Sequence, residues 1–229
     1  MTTSPVSFVN DDLVERVRAN LARVVQRIAS TGRDPREIRV VGVTKTFDAR
    51  YVRAAGLVGL GALGENYVEE LCQKRVEVGE GPTWHYLGAL QSNKIHRITE
   101  CADVICGVSR IKELERIAKY GHDRVLYLQV DFTRAAGRNG APPEDVENLV
   151  ERARTLGLEI RGLMTVGPAN PEGAREAFRA ATSLANDLGL VERSMGMSDD
   201  LEIACELGST EVRIGRALFG ARNATSALT

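Results

Sequence analysis

The chain has 229 residues, 43% of them hydrophobic, with 30 Lys plus Arg against 31 Asp plus Glu for a net charge of −1. That length suits one barrel-sized domain or two small ones, and so even a charge balance leaves no electrostatic footprint for nucleic acid. No apolar run reaches the roughly 18 residues of a membrane span, and the opening "MTTSPVSFVNDDL" has neither a basic start nor a long apolar stretch, so neither a membrane nor a secretory segment is expected.

The first element, about residues 10–31, reads as a helix: Leu13, Val17, Leu21, Val24 and Ile28 recur at helical spacing, and Asn10 or Asp11 can cap it. "TGRDP" then breaks it. From there strands are predicted at about 38–44, 61–64, 84–88, 103–108, 124–131, 158–167, 191–195 and 210–215. A helical pattern follows each, the last being the short "RALFGAR". Strict alternation implies parallel strands, because parallel neighbours need a crossover. Eight units in a chain this short predict a closed (β/α)₈ TIM barrel with one extra helix in front, and an open doubly wound sheet is the alternative. The whole chain, 1–229, is expected to be a single domain with its core at about 38–222 and a frayed tail, "NATSALT".

The four cysteines, Cys72, Cys101, Cys106 and Cys205, form no CxxC pair and no zinc-ligand spacing. They read as reduced, packed thiols of a cytoplasmic protein.

In such a barrel the active site lies at the C-terminal strand ends. Those ends offer Lys45, Glu65, Asn66, His85, Gln91, Asn93, Asp131, Met164, Thr165, the "SMGMS" loop and Arg213 with "GRALFG". The loops after the last two strands form the recurrent phosphate site of this fold, here with Ser198 before one helix and Gly215 before another. Taken alone, Ser198 ahead of "DDL" is equally an ordinary helix cap. Lys45 closes the first strand, beside the eighth and therefore beside that site. A lysine in an apolar mouth loses hydration and becomes a better nucleophile. Three readings stay open for it: a salt-bridged strand end, a cofactor imine, or the imine of a class I aldolase, which would need a partner acid or second lysine. Arg213 either enters the mouth below the phosphate or pairs with Glu211. His85 either points to the mouth or is a satisfied core histidine.

The segments "VGVTKTF", "LGENYVEE", "WHYLGALQSNK", "IRGLMTVGP", "SMGMSDDLEIACELGSTEVRIG" and "ALFGAR", spread over about 38–222, resemble the pyridoxal phosphate homeostasis protein family. The resemblance implies a barrel like the N-terminal domain of alanine racemase, holding pyridoxal 5′-phosphate (PLP) as an internal aldimine on Lys45. It further implies that Ser198 and the backbone at Gly215 and Arg216 take the phosphate, that Arg213 faces the pyridine nitrogen, and that Asn66 lines the ring pocket. An arginine there keeps the ring nitrogen unprotonated and makes it a poor electron sink. The implied role is a cytoplasmic, monomeric PLP carrier supplying PLP-dependent apo-enzymes, without robust catalytic activity. A racemase-like enzyme is the alternative, although the C-terminal domain that gives alanine racemases their second base has no counterpart here. Two residues depart from the family pattern: Arg216 replaces a small hydroxyl residue, and Arg138 stands where a secondary lysine is common.

Overall fold

The protein is described from a computed structural model covering residues 10–135 and 137–221. The tail expected to fray lies outside these residues. Helix α1 (Asp11–Ser30) leads, with the Asn10 side chain accepting the Asp12 N–H at 2.9 Å. Eight strands follow in strict alternation with helices: β1 (Arg39–Val43), α2 (Ala49–Leu57), β2 (Ala62–Glu65), α3 (Val68–Val78), β3 (Thr83–Tyr86), α4 (Ile95–Cys101), β4 (Val104–Val108) and α5 (Ile111–Tyr120). The second half comprises β5 (Val125–Gln129), α6 (Val146–Thr155), β6 (Ile160–Met164), α7 (Pro171–Asp187), β7 (Glu192–Ser194), α8 (Leu201–Glu206), β8 (Glu211–Ile214) and α9 (Arg216–Phe219). The strands close in sequence order, β8 pairing with β1 in parallel, with Arg213 opposite Val41 and Ile214 opposite Gly42. The expected (β/α)₈ barrel is thus the observed fold, and the open sheet is excluded.

Strand parity divides the side chains between two cores. Residues facing outward, such as Leu63, Ile105, Leu126, Leu128, Val212 and Ile214, are buried against the helices. Residues facing inward fill the barrel, with Val104, Cys106, Tyr127 and Met164 forming one cluster. Each fully buried leucine or isoleucine contributes about 1.5–3 kcal/mol, so the outer layer dominates the stability of the scaffold.

The extra helix braces the site. Arg27 on α1 makes a two-pronged pair with Glu202 of α8 at 2.6 and 2.7 Å and donates to the Ser198 carbonyl at 2.9 Å. Asn20 donates to the Leu218 carbonyl at 2.7 Å. Both loops expected to bind phosphate are therefore fastened to α1.

The cysteine expectation needs correction. Cys72 on α3 and Cys101 at the end of α4 form a disulfide, with Cα atoms 5.2 Å apart. Their separation of 29 residues spans one strand–helix repeat, which places two residues on the facing sides of neighbouring outer helices; no short motif marks such a pair. Cys106 and Cys205 are free and buried, as expected. With half of the cysteines oxidised, cysteine usage no longer argues for a reducing compartment. Among the described residues, no helix is long and apolar enough to cross a membrane.

Candidate functional site

A cavity of about 640 Å³ opens at the C-terminal end of the barrel, within the range of small-ligand sites. Lys45, Asn66, Ser198, Arg213, Gly215 and Arg216 all line it. Parity explains the convergence. Val41 and Val43 point inward on β1, and the next residue of that parity is Lys45, half-buried at the rim. Likewise Glu211 and Arg213 point inward on β8, one in each half of the barrel.

Arg213 is buried and built in. Its Nη1 donates to the Ser194 carbonyl at 2.5 Å and to Ser194 Oγ at 2.9 Å, and its Nη2 donates to the Thr165 carbonyl at 2.8 Å. Burial pulls its pKa down from the usual arginine value, Glu211 opposing, but a guanidinium stays charged at any physiological pH. Three of its five donors are used, which leaves Nε–H and one Nη2 hydrogen for a ligand. The ion pair with Glu211 does not form. The Glu211 carboxylate instead accepts from Ser194 Oγ at 2.7 Å and from Arg39 at 3.1 Å.

Ser198 is not the cap of α8; Asp200 occupies that position. Ser198 Oγ instead accepts the Ala217 N–H at 3.3 Å, tying the loop after β7 to the first turn of α9. Gly196 makes the approach possible: its φ is +98°, and a Cβ there would lie 2.5 Å from Ala204 Cβ. In that first turn the Leu218 and Phe219 N–H groups donate to the Gly215 carbonyl at 3.0 and 2.9 Å. Arg216 extends over the same loop and pairs with Asp199 at 2.6 Å. Asn66 follows β2 directly. Its carbonyl would be 2.2 Å from a Cβ on Gly88, so only glycine lets the third loop approach it.

Other strand-end candidates point elsewhere. His85 does not reach the mouth. It is fully buried lower in the barrel, its Nδ1 3.9 Å from Cys106 Sγ and 3.7 Å from Glu211 Oε2. It borders a second cavity of about 600 Å³ at the opposite, N-terminal end. Burial pushes its pKa below the usual histidine value, against the pull of Glu211. Arg138 pairs with Asp131 at 3.3 Å and donates to the Val166 carbonyl. Gln129, Leu87 and Phe47 line the main cavity without having been singled out in the sequence, and Met197 does so from the "SMGMS" loop that was. Gln129 was legible as the inward-facing last residue of β5, whereas Phe47 and Met197 come from loops, where parity gives no guide.

The sequence also hid a cluster directly behind Lys45. Lys74 on α3 is nearly buried, and its Nζ donates to Glu65 Oε1 at 2.7 Å, to the Thr44 carbonyl at 2.8 Å and to Glu70 Oε2 at 2.9 Å. Thr44 Oγ1 donates to the same Glu65 oxygen at 2.7 Å. An acid and a second lysine therefore do lie near Lys45, but neither lines the cavity, so the pairing an aldolase would need is not presented to a substrate.

The alanine racemase N-terminal domain family model matches residues 14–223. The pyridoxal phosphate homeostasis protein of Pseudomonas aeruginosa is 38% identical over 92% of this chain and 96% of its own length. That of Escherichia coli K12 is 34% identical over 89% and 96%. Among solved structures, PipY of Synechococcus elongatus, determined both without PLP and with PLP bound, is 31% identical and covers 86% of this chain and all of its own, with TM-scores of 0.78 and 0.76. An alanine racemase of Clostridium difficile, 14% identical with a TM-score of 0.75 over 95% of this chain and 58% of its own, shares the fold alone. On sequence, topology and coverage together, the chain belongs to the pyridoxal phosphate homeostasis protein family, within the alanine racemase N-terminal domain fold.

Proposed function

We propose that this chain binds PLP in the cavity at the barrel mouth and holds and releases it through Lys45, as a carrier in PLP homeostasis. The observation that carries this reading is convergence: an amine, a buried guanidinium and a two-loop anion cradle line one cavity. That donor set suits a flat aromatic ring bearing an aldehyde at one edge and a phosphate at another. Ser198 Oγ, the backbone at Gly215 and Arg216 and the Arg216 guanidinium take the phosphate. The two remaining Arg213 donors face the ring edge, and Asn66 with Leu87 and Val43 confines the ring. PLP bound here would present its aldehyde for Lys45 Nζ to condense with, water being lost, and water or an incoming primary amine would free the lysine again.

Arg216 adopts its phosphate role by leaving Asp199, an exposed pair whose loss costs little. Arg138, an arginine in two contacts, serves no second covalent site. An enzyme reading is disfavoured by the lining itself. Racemisation needs a base on each face of the reacting carbon, and among the described lining residues there is no tyrosine or histidine to stand opposite Lys45. The proposed recipients are PLP-dependent apo-enzymes, and the proposed working form is a monomer.

The test is a titration of the purified protein with PLP, followed by the visible absorbance of a cofactor joined to an amine, near ~420 nm. The wild-type chain is expected to develop this band, and Lys45→Ala to lack it. A band of equal strength in the variant would contradict the role given to Lys45.

A further inference from the structure

Thr44, Lys45, Thr46 and Phe47 form a tight turn, closed by the Phe47 N–H donating to the Thr44 carbonyl at 3.0 Å. Thr46, its third residue, has φ +68°. A β-branched residue rarely adopts that left-handed backbone, and turns that require it favour glycine or asparagine. Such strain persists only where the surroundings hold it, and it gathers at functional sites. Here the holding groups are on α3, one helical turn apart. Glu70 Oε2 accepts the Thr46 N–H at 2.8 Å, and Lys74 Nζ, bonded to that same oxygen, donates to the Thr44 carbonyl. The backbone is therefore gripped immediately before and immediately after Lys45. Glu65, buried beneath, supplies the counter-charge that lets Lys74 stay there.

We propose that Glu70 and Lys74 are positioning residues: they clamp the strained turn and thereby preset Lys45 Nζ for covalent capture of an aldehyde ligand. This rests on the reading of Lys45 given above. Neither side chain lines the cavity, so both act through the backbone of residues 44–46. The clamp matters only for ligands that must meet Nζ at bonding distance. A ligand held by the phosphate cradle and Arg213 alone is indifferent to it.

That selectivity is the test. Glu70→Ala removes the acceptor of the Thr46 N–H but leaves Lys74 compensated by Glu65, so the fold is not left with an unpaired buried charge. Glu70→Gln keeps an oxygen for the same N–H. Three quantities are measured on each protein: amide exchange at Thr46 in the unloaded chain, the rate and yield of borohydride-trapped PLP, and calorimetric affinity for pyridoxine 5′-phosphate, which carries an alcohol in place of the aldehyde. In Glu70→Ala the Thr46 amide is expected to exchange faster and trapping to slow by about tenfold or more, with affinity for the alcohol ligand within about twofold of wild type and Glu70→Gln restoring most of the trapping rate. Unchanged trapping in Glu70→Ala would overturn the clamp while sparing the role of Lys45. Equal loss for the aldehyde and alcohol ligands would also overturn it, since the effect would then be general to the pocket. Failure of the wild-type protein to trap PLP at all would overturn the underlying reading, and the clamp with it.

Discussion

Lys45 and Lys74 stand at the same end of the barrel, and their surroundings give them opposite work. Lys74 is spent on three oxygens behind the strand, while Lys45 lines the cavity. No property of the residue type separates them; strand parity and burial do. Parity sends His85 into the barrel as well, but two residues below Leu87, so it faces Cys106 and Glu211 instead of the mouth. It also produces a pH effect. With its pKa lowered by burial, folded His85 binds a proton less readily than the unfolded chain does. Unfolding therefore takes up a proton once the pH falls below the unfolded value of about 6.5, and stability declines from there downward by at most about 1.4 kcal/mol per pH unit. Urea unfolding followed from pH 7.5 to 5.5 is expected to show this decline in the wild-type chain and a flatter profile in His85→Gln. An equal slope in the variant would assign the effect to other groups.

At the scale of elements, the alternation of strands and helices was written in the sequence, because strands such as β1 and β4 are short β-branched runs and helices such as α1 and α7 carry a 3.6-residue apolar stripe. Even the extra helix was legible from Leu13, Val17, Val24 and Ile28, all of which are buried or nearly so. Relations between neighbouring elements were not. The Glu70–Thr46 bond joins α3 to the turn after β1, and the Cys72–Cys101 bond joins α3 to α4; both depend on which helix lies beside which, and at what rotation. For a loop of 29 residues, removing the cross-link by reduction or by Cys72→Ser with Cys101→Ser is expected to cost about 3.5 kcal/mol of stability. The unfolding midpoint in denaturant, measured with and without reductant, checks this; a midpoint indifferent to reductant, with all four thiols titratable after mild unfolding, would show that the bond does not form.

For the molecule as a whole, closure of the barrel makes the site. The proposed phosphate cradle belongs to the last two units and Lys45 to the first, so they are distant in sequence and become neighbours only because β8 pairs with β1. The six residues that the family resemblance assigns to the ligand line one cavity for that reason. What the sequence left undecided was orientation, as with Ser198, which ties the two loops together instead of capping α8. On the proposal above, Lys45 alone of the five lysines in the chain holds PLP covalently. The most direct test is to load the protein with PLP, reduce with borohydride and locate the adduct by peptide mass mapping. One phosphopyridoxyl group is expected, on the peptide containing Lys45. A modification spread over Lys94, Lys112 and Lys119, or none at all, would contradict it.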